Sequence, residues 1–280
     1  MRKLIIIGLC LIIGYPSMAQ VRIGIFGGLS NYQGDLVDKP YKSSKGAFGL
    51  TGTFPISQRF NVRAGLTLAK VAGADSLGKK PELRARNLSF QSKITEFSLV
   101  AEYNIFNIDD IRWTPYLFAG AAIFHYNPYT FDSAHNKVFL RPLTTEGQGL
   151  AGYPDKPYSL TGFAIPFGAG IKYAISETLQ LGLEVGLRKT FTDYLDDIST
   201  EYADPADLLA GRGQQSVDLS YRGDEVGFPA YPVKGFTRGN PKSKDYYYFS
   251  GLHLTFALGS GSDGGGRAGR KKGYGCPTVF

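Results

Sequence analysis

No stretch of roughly 18 to 20 consecutive apolar residues occurs in this 280-residue chain, which excludes a membrane-crossing helix. Cysteine is scarce: Cys10 lies in a leader-like segment, and without it Cys276 has no partner in the chain. Histidine occurs three times, at His125, His135 and His253, and no nucleophile motif accompanies any of them. No stripe of Lys and Arg interleaves with exposed aromatics, which argues against nucleic acid as a partner. The acidic run Asp193, Asp196, Asp197, Glu201, Asp204 and Asp207 lacks the spacing of an EF-hand loop. It reads as a solvated acidic loop rather than a calcium site. Glycines cluster at 24–28 and 168–170, but no strand–loop–helix context makes them a phosphate cradle. Relief of crowding between closely packed strands is the better reading. No cofactor, metal or small-molecule substrate follows from any of these features.

What the chain does have is glycine, 36 residues of it, and aromatics at 14%. Mean hydropathy is slightly negative, −0.13. This combination favours β-structure, secreted or in a barrel, over a helical membrane protein. The chain opens with Met1, Arg2 and Lys3, continues with the apolar run 4–13, and reaches Ser17-Met18-Ala19. That layout predicts a secretion signal at 1–19, cleaved after Ala19. Cys10 would leave with it. Acylation of Cys10 is the alternative, disfavoured because Leu9 is bulkier than the residue a lipid-modified signal carries there. The net charge of +7 falls to +5 without Arg2 and Lys3 (7 − 2).

Residues 179–187 alternate without a break. Leu179, Leu181, Leu183, Val185 and Leu187 are apolar, with Gln180, Gly182, Glu184 and Gly186 between them. A helix, with its period of 3.6, cannot use this pattern; a strand can, because successive side chains point to opposite faces. The alternation recurs at 21–31, 47–54, 60–70, 93–104, 114–126, 160–173 and 246–258. Segment 114–126 is less clean, because Leu117 and Ile123 oppose Phe118 and Phe124.

An apolar face along every strand, behind a secretion signal, predicts an all-β fold: an eight-stranded antiparallel transmembrane β-barrel over 20–258. Short connections at 55–59, 105–112 and 175–178 alternate with long ones at 34–46, 72–91, 127–159 and 194–244. Barrels of the Gram-negative outer membrane have short periplasmic turns and long outer loops, which puts both termini in the periplasm. Tyr116, Tyr126, Tyr173 and 246–249 are expected as interfacial girdles. Asp204 as N-cap and Pro205 at the first helical position predict a short helix over 205–210.

The predicted inward charges are Arg22, Arg63, Glu96, Glu102, Lys172, Glu184 and Arg188. Buried charges need partners, and their interleaved signs predict a plugged, ion-paired lumen rather than an open pore. His253 joins this polar interior. His125 and His135 lie near Asp132 and Ser133, where a Ser-His-acid trio would make a small-barrel enzyme acting on outer-leaflet lipid. With no nucleophile motif, they read as polar loop residues, and the chain is read as no enzyme. A surface adhesion barrel, binding through its long loops, is a further alternative.

Residues 259–280 form a tail. A Gly/Ser linker leads to the basic residues Arg267, Arg270, Lys271 and Lys272, and then to Tyr274, Cys276, Pro277 and Phe280. A flexible arm, charge, aromatic and apolar anchors and one thiol suit partner docking in the periplasm. Cys276 is the candidate for an intermolecular disulfide.

The eight-strand plan, the segment RKTFTDYLDDIST (188–200) and the terminus GRKKGYGCPTVF (269–280) resemble the PorG family, outer-membrane barrels of the type IX secretion system. The resemblance implies a non-enzymatic assembly factor in outer-membrane lipid. It would tie a periplasmic ring, built from a PorK-like lipoprotein and a PorN-like protein, to the membrane. It implies no catalytic residues.

Overall fold

β-Branched and aromatic residues alternating with Gly, Ser and Thr make strands here, and the glycines let those strands close on one another. A computed structural model describes residues 20–258, apart from Asp38, Lys79 and Pro229. The strands are β1 (Arg22–Gln33), β2 (Lys45–Pro55), β3 (Phe60–Ala74), β4 (Ser89–Asn104), β5 (Trp113–Phe131), β6 (Lys137–Phe139), β7 (Thr161–Ala174), β8 (Leu179–Thr190) and β9 (Tyr246–Ala257). Each long strand pairs antiparallel with its neighbours in sequence, β4 pairs with β5, and β9 returns to β1. The result is the expected closed eight-stranded barrel. The short β6 lies outside the ring and folds back on the end of β5.

Outward rows are apolar on every barrel strand. Ile23, Ile25 and Leu29 on β1, Leu66 and Leu68 on β3, Phe97 and Leu99 on β4, and Leu181, Leu183, Val185 and Leu187 on β8 are all exposed. On β8 this row, from Leu179 to Leu187, runs about 27 Å along the strand. An exposed apolar belt of this height is unfavourable in water and suits hydrocarbon. Among the described residues, no helix is long and apolar enough to cross a membrane.

The crowded inner face explains the glycines. Phe118, Gly168, Gly186 and Phe249 lie in one cross-strand row from β5 to β9. A Cβ on Gly168 would sit 2.2 Å from the Val185 carbonyl oxygen and 2.8 Å from the Phe118 ring. Glycine at both positions lets the Phe118 ring lie flat over the neighbouring strands β7 and β8.

Several expectations change. Strands β3, β4 and β5 run past the apolar belt and form a taller wall at the long-loop end. Tyr116, Tyr126 and Tyr247 are not girdle residues: they point inward and are fully buried, because they share parity with inward Phe118, Phe124 and Phe249. Tyr173 alone of the named candidates is freely exposed on the outer wall. The expected helix is α2 (Pro205–Arg212), two residues longer than expected, with Asp204 Oδ1 accepting from the Ala206 amide at 2.8 Å. Two further short helices, α1 (Pro81–Arg86) and α3 (Gln214–Ser220), were not anticipated. The tail residues Arg267, Arg270, Lys271, Lys272, Tyr274, Cys276, Pro277 and Phe280 lie outside the described residues.

Candidate functional site

The interior of the barrel holds two ion clusters. In the lower one, Arg63 on β3 sits 2.7 Å from Glu184 on β8 and 3.0 Å from Glu102 on β4. Lys172 on β7 donates to Glu102 at 2.5 Å, and the Tyr116 hydroxyl donates to Glu184 at 2.7 Å. His253 Nε2 is 3.5 Å from the other Glu184 oxygen. In the upper cluster Arg188 meets Glu96 at 3.2 Å, and Tyr247 donates to the same carboxylate at 2.7 Å. Arg63 lies over the Phe118 ring and Arg188 over Phe249, at 5.1 and 4.2 Å. Each of these charges therefore has partners from other strands.

Two voids among these groups are about 20 Å³ each, room for about one water. The sequence-predicted lumen set is thus brought together, with one exception. Arg22 sits at the short-turn mouth, where it donates to the Glu177 and Thr178 carbonyls at 3.2 and 3.4 Å. As the first residue of β1, it lies too near the rim to reach the inner carboxylates. It lines an open vestibule of about 1020 Å³ together with Arg59, Asn104, Asp109, Lys172 and Glu177.

The long-loop end is closed by a folded cap, which corrects the reading of the acidic run as solvated at Asp193, Asp196 and Asp197, while Glu201 is exposed and Asp204 and Asp207 are partly exposed. Asp193, Asp196 and Asp197 are buried. Arg238, far along the same connection, explains why. It donates to Glu146 at 2.9 Å and to the Asp197 carbonyl at 2.6 Å, and Glu146 in turn accepts from the Ser199 and Thr200 amides. Arg86 of α1 forms a two-point pair with Asp75 at 2.7 and 2.8 Å and donates to the Arg238 carbonyl. Asp197 accepts from the Thr145 and Tyr158 hydroxyls, both at 2.6 Å. Burial pushes the Asp193 and Asp197 carboxyls up to about 6.

Beneath the cap, the Tyr32 hydroxyl lies 2.6 Å from Asp196 and 3.0 Å from Asp245. A phenol has one proton to donate, so the second contact calls for a carboxyl that keeps its own. Burial first, then Asp35 beside Asp196 and Asp196 beside Asp245, push both carboxyls well above their usual range. Tyr32, Asp75, Arg86, Glu146, Arg238 and Asp245 were not singled out in the sequence. The one available signal was an acidic run too dense to be decorative.

Asp132, Ser133, His125 and His135 are not assembled into a catalytic trio. Asp132 is held by the Asn136 amide and side chain, and His125 faces outward on β5 with Nδ1 3.2 Å from the Thr161 hydroxyl. Among the described residues, no grouping of three or more His, Cys, Asp or Glu is arranged to hold a metal.

A family model described as "Domain of unknown function (DUF6089)" matches residues 2–141 and 150–212. The chain belongs to the DUF6089 family. No curated protein matches it. Solved structures similar to this DUF6089 barrel include Neisserial surface protein A (NspA), 8% identical, with TM-score 0.42 over 85% of this chain and 97% of that one. OprG from Pseudomonas aeruginosa is 14% identical, with TM-score 0.40 over 86% and 98%. The outer membrane enzyme PagL is 11% identical, with TM-score 0.31 over 85% and 99%. None of these likenesses bears on what the DUF6089 chain does.

Proposed function

We propose that this chain is a non-enzymatic outer-membrane component of a type IX-like secretion machine. It anchors a periplasmic ring, built from a PorK-like lipoprotein and a PorN-like protein, through residues 259–280. The observation that carries the reading is the double seal: ion clusters fill the lumen and a folded cap covers it, so the barrel has no transport path of its own. A sealed barrel acts through its ends. The Leu258 amide donates to the Val21 carbonyl at 2.7 Å, so the last described residue lies at the short-turn mouth beside the vestibule. Short turns face the periplasm in barrels of this kind.

The resemblance of 188–200 and 269–280 to PorG supports the same reading. The first of these segments runs from the lumen through Arg188 into the cap through Asp193, Asp196 and Asp197, which gives its residue pattern a structural purpose. A second reading, surface binding by the loops, draws on Phe228, Val233 and Phe236, which are large, apolar and exposed at the far edge of the cap.

Truncation after Gly266 separates the two. The anchor reading expects loss of co-purifying periplasmic lipoprotein and of secretion, with the barrel still in the outer membrane. Cys276→Ser should abolish any reducible adduct. Full assembly after truncation, with loss only when Phe228 and Phe236 are replaced, would favour surface binding instead.

A further inference from the structure

The outer wall above the apolar belt carries cations where strand pairing should disfavour them. Lys70 on β3 and Lys93 on β4 are direct cross-strand partners, both pointing outward. Like charges in that relation repel. Lys137 on β6 joins them: its ammonium lies 3.9 Å above the Tyr129 ring and 4.4 Å above Phe139, while Lys70 approaches the same Tyr129 ring from 5.8 Å. Among the described residues, none of the three has a carboxylate within 4.0 Å; the lysines that form ion pairs are Lys172 and Lys234. The nearby acid on the β5–β6 hairpin, Asp132, is held by Asn136.

Register fixes where this patch lies. Leu66, Phe97, Ile123 and Phe163 form one exposed cross-strand row of the apolar belt. Leu68, Thr95, His125 and Thr161 form the next, and Lys70, Lys93 and Asn127 the one after that. Lys70 and Lys93 are therefore two residues, about 7 Å along the strand, beyond exposed Leu68 of the belt, and Lys137, paired with Phe131 further along β5, reaches back over the Tyr129 ring. Flexible lysine stems cover that interval while their charged ends stay at the polar boundary. An anion shared between the ammonium groups would turn their repulsion into attraction. The anion found at that depth is the phosphate of a membrane lipid, which lysine binds as a point charge.

We infer that Lys70 and Lys93 on the barrel wall, with Lys137 seated on Tyr129 and Phe139, bind the phosphate of a membrane lipid in the leaflet at the long-loop end. The inference rests on the barrel spanning a membrane and is independent of any role in secretion.

The test uses the full chain in nanodiscs of zwitterionic phosphatidylcholine with and without lipid A, whose phosphate monoesters carry net negative charge, reading lipid retained after detergent release by native mass spectrometry. The wild type should retain lipid A. The variant K70Q/K93Q/K137Q should bind it on the order of a hundredfold more weakly, and K70R/K93R/K137R should keep it. Heat-modifiable gel mobility checks that each barrel is folded. Where the triple glutamine variant fails that check, the exposed single variant K93Q should show about a fivefold loss. Equal retention by wild type and glutamine variants would overturn the inference. So would displacement of lipid A by excess inorganic phosphate, which would mark a site for free anions.

Discussion

Arg63 Nη1 lies 2.7 Å from Glu184 Oε2, joining β3 to β8 across the middle of the barrel. Both groups are buried, so the pair replaces water that neither can reach. Removing the cation takes the shared guanidinium from two buried carboxylates, leaving Glu102 on Lys172 and Glu184 on Tyr116 and His253, and should destabilise the barrel by about 3 kcal/mol in Arg63→Met. Urea unfolding in lipid vesicles measures this. The double variant Arg63→Met/Glu184→Met should recover part of the loss; strictly additive losses would show that the pair is not coupled.

Arg238 plays the corresponding part in the cap. Arg238→Met leaves Glu146 and the Asp197 carbonyl without their buried partner. The expected outcome is local: protease cleavage within 193–245 at concentrations that spare the wild type, with the heat-modifiable gel shift of the barrel unchanged. Loss of the gel shift as well would mean that cap and barrel fold as one unit.

The buried acids give the cap an unusual pH dependence. Asp193 and Asp197 are raised to about 6, and burial and neighbouring carboxyls hold Asp196 and Asp245 well above the usual carboxylate range. A carboxyl raised in the folded state binds more protons folded than unfolded, so stability falls as pH rises through the interval between the two values. The protection of the cap amides, measured relative to their intrinsic base-catalysed exchange at each pH, should therefore be lower at pH 7.5 than at pH 5. Asp245→Asn, which mimics the protonated form, should flatten the difference. A cap that loosens on acidification would contradict this assignment.

Gly168 and Gly27 make a matched pair of substitutions. Gly168 faces inward, where an added Cβ meets the Val185 carbonyl and the Phe118 ring, whereas Gly27 faces outward with nothing within 4 Å. Gly168→Val should abolish or strongly slow folding into vesicles, and Gly27→Ala should be close to neutral. Band-shift kinetics on cold gels distinguish them.

The barrel was legible in the sequence because lipid on one side and a packed lumen on the other impose a strict period of two. Leu179 to Leu187 alone nearly suffices. Which face an aromatic takes was harder, because lipid and lumen both accept a ring. Tyr116 and Tyr126 went to the lumen, and the available clue was steric: Gly168, Gly170 and Gly186 leave space inside the wall for large side chains. The cap was not legible. Its acids are neutralised or protonated through residues dozens of positions away, such as Arg86, Glu146 and Arg238, and loops carry no periodicity that would announce those contacts. Asp204 and Pro205 were the exception, because helix capping is local chemistry.

The central claim is that this barrel is closed along its axis, and conductance tests it most directly. The full-length protein, reconstituted at single-molecule density in a planar bilayer, should give no discrete current steps under applied voltage, with or without Arg238→Met. Regular open-channel steps from the wild-type barrel would contradict the sealed lumen and, with it, the anchor reading.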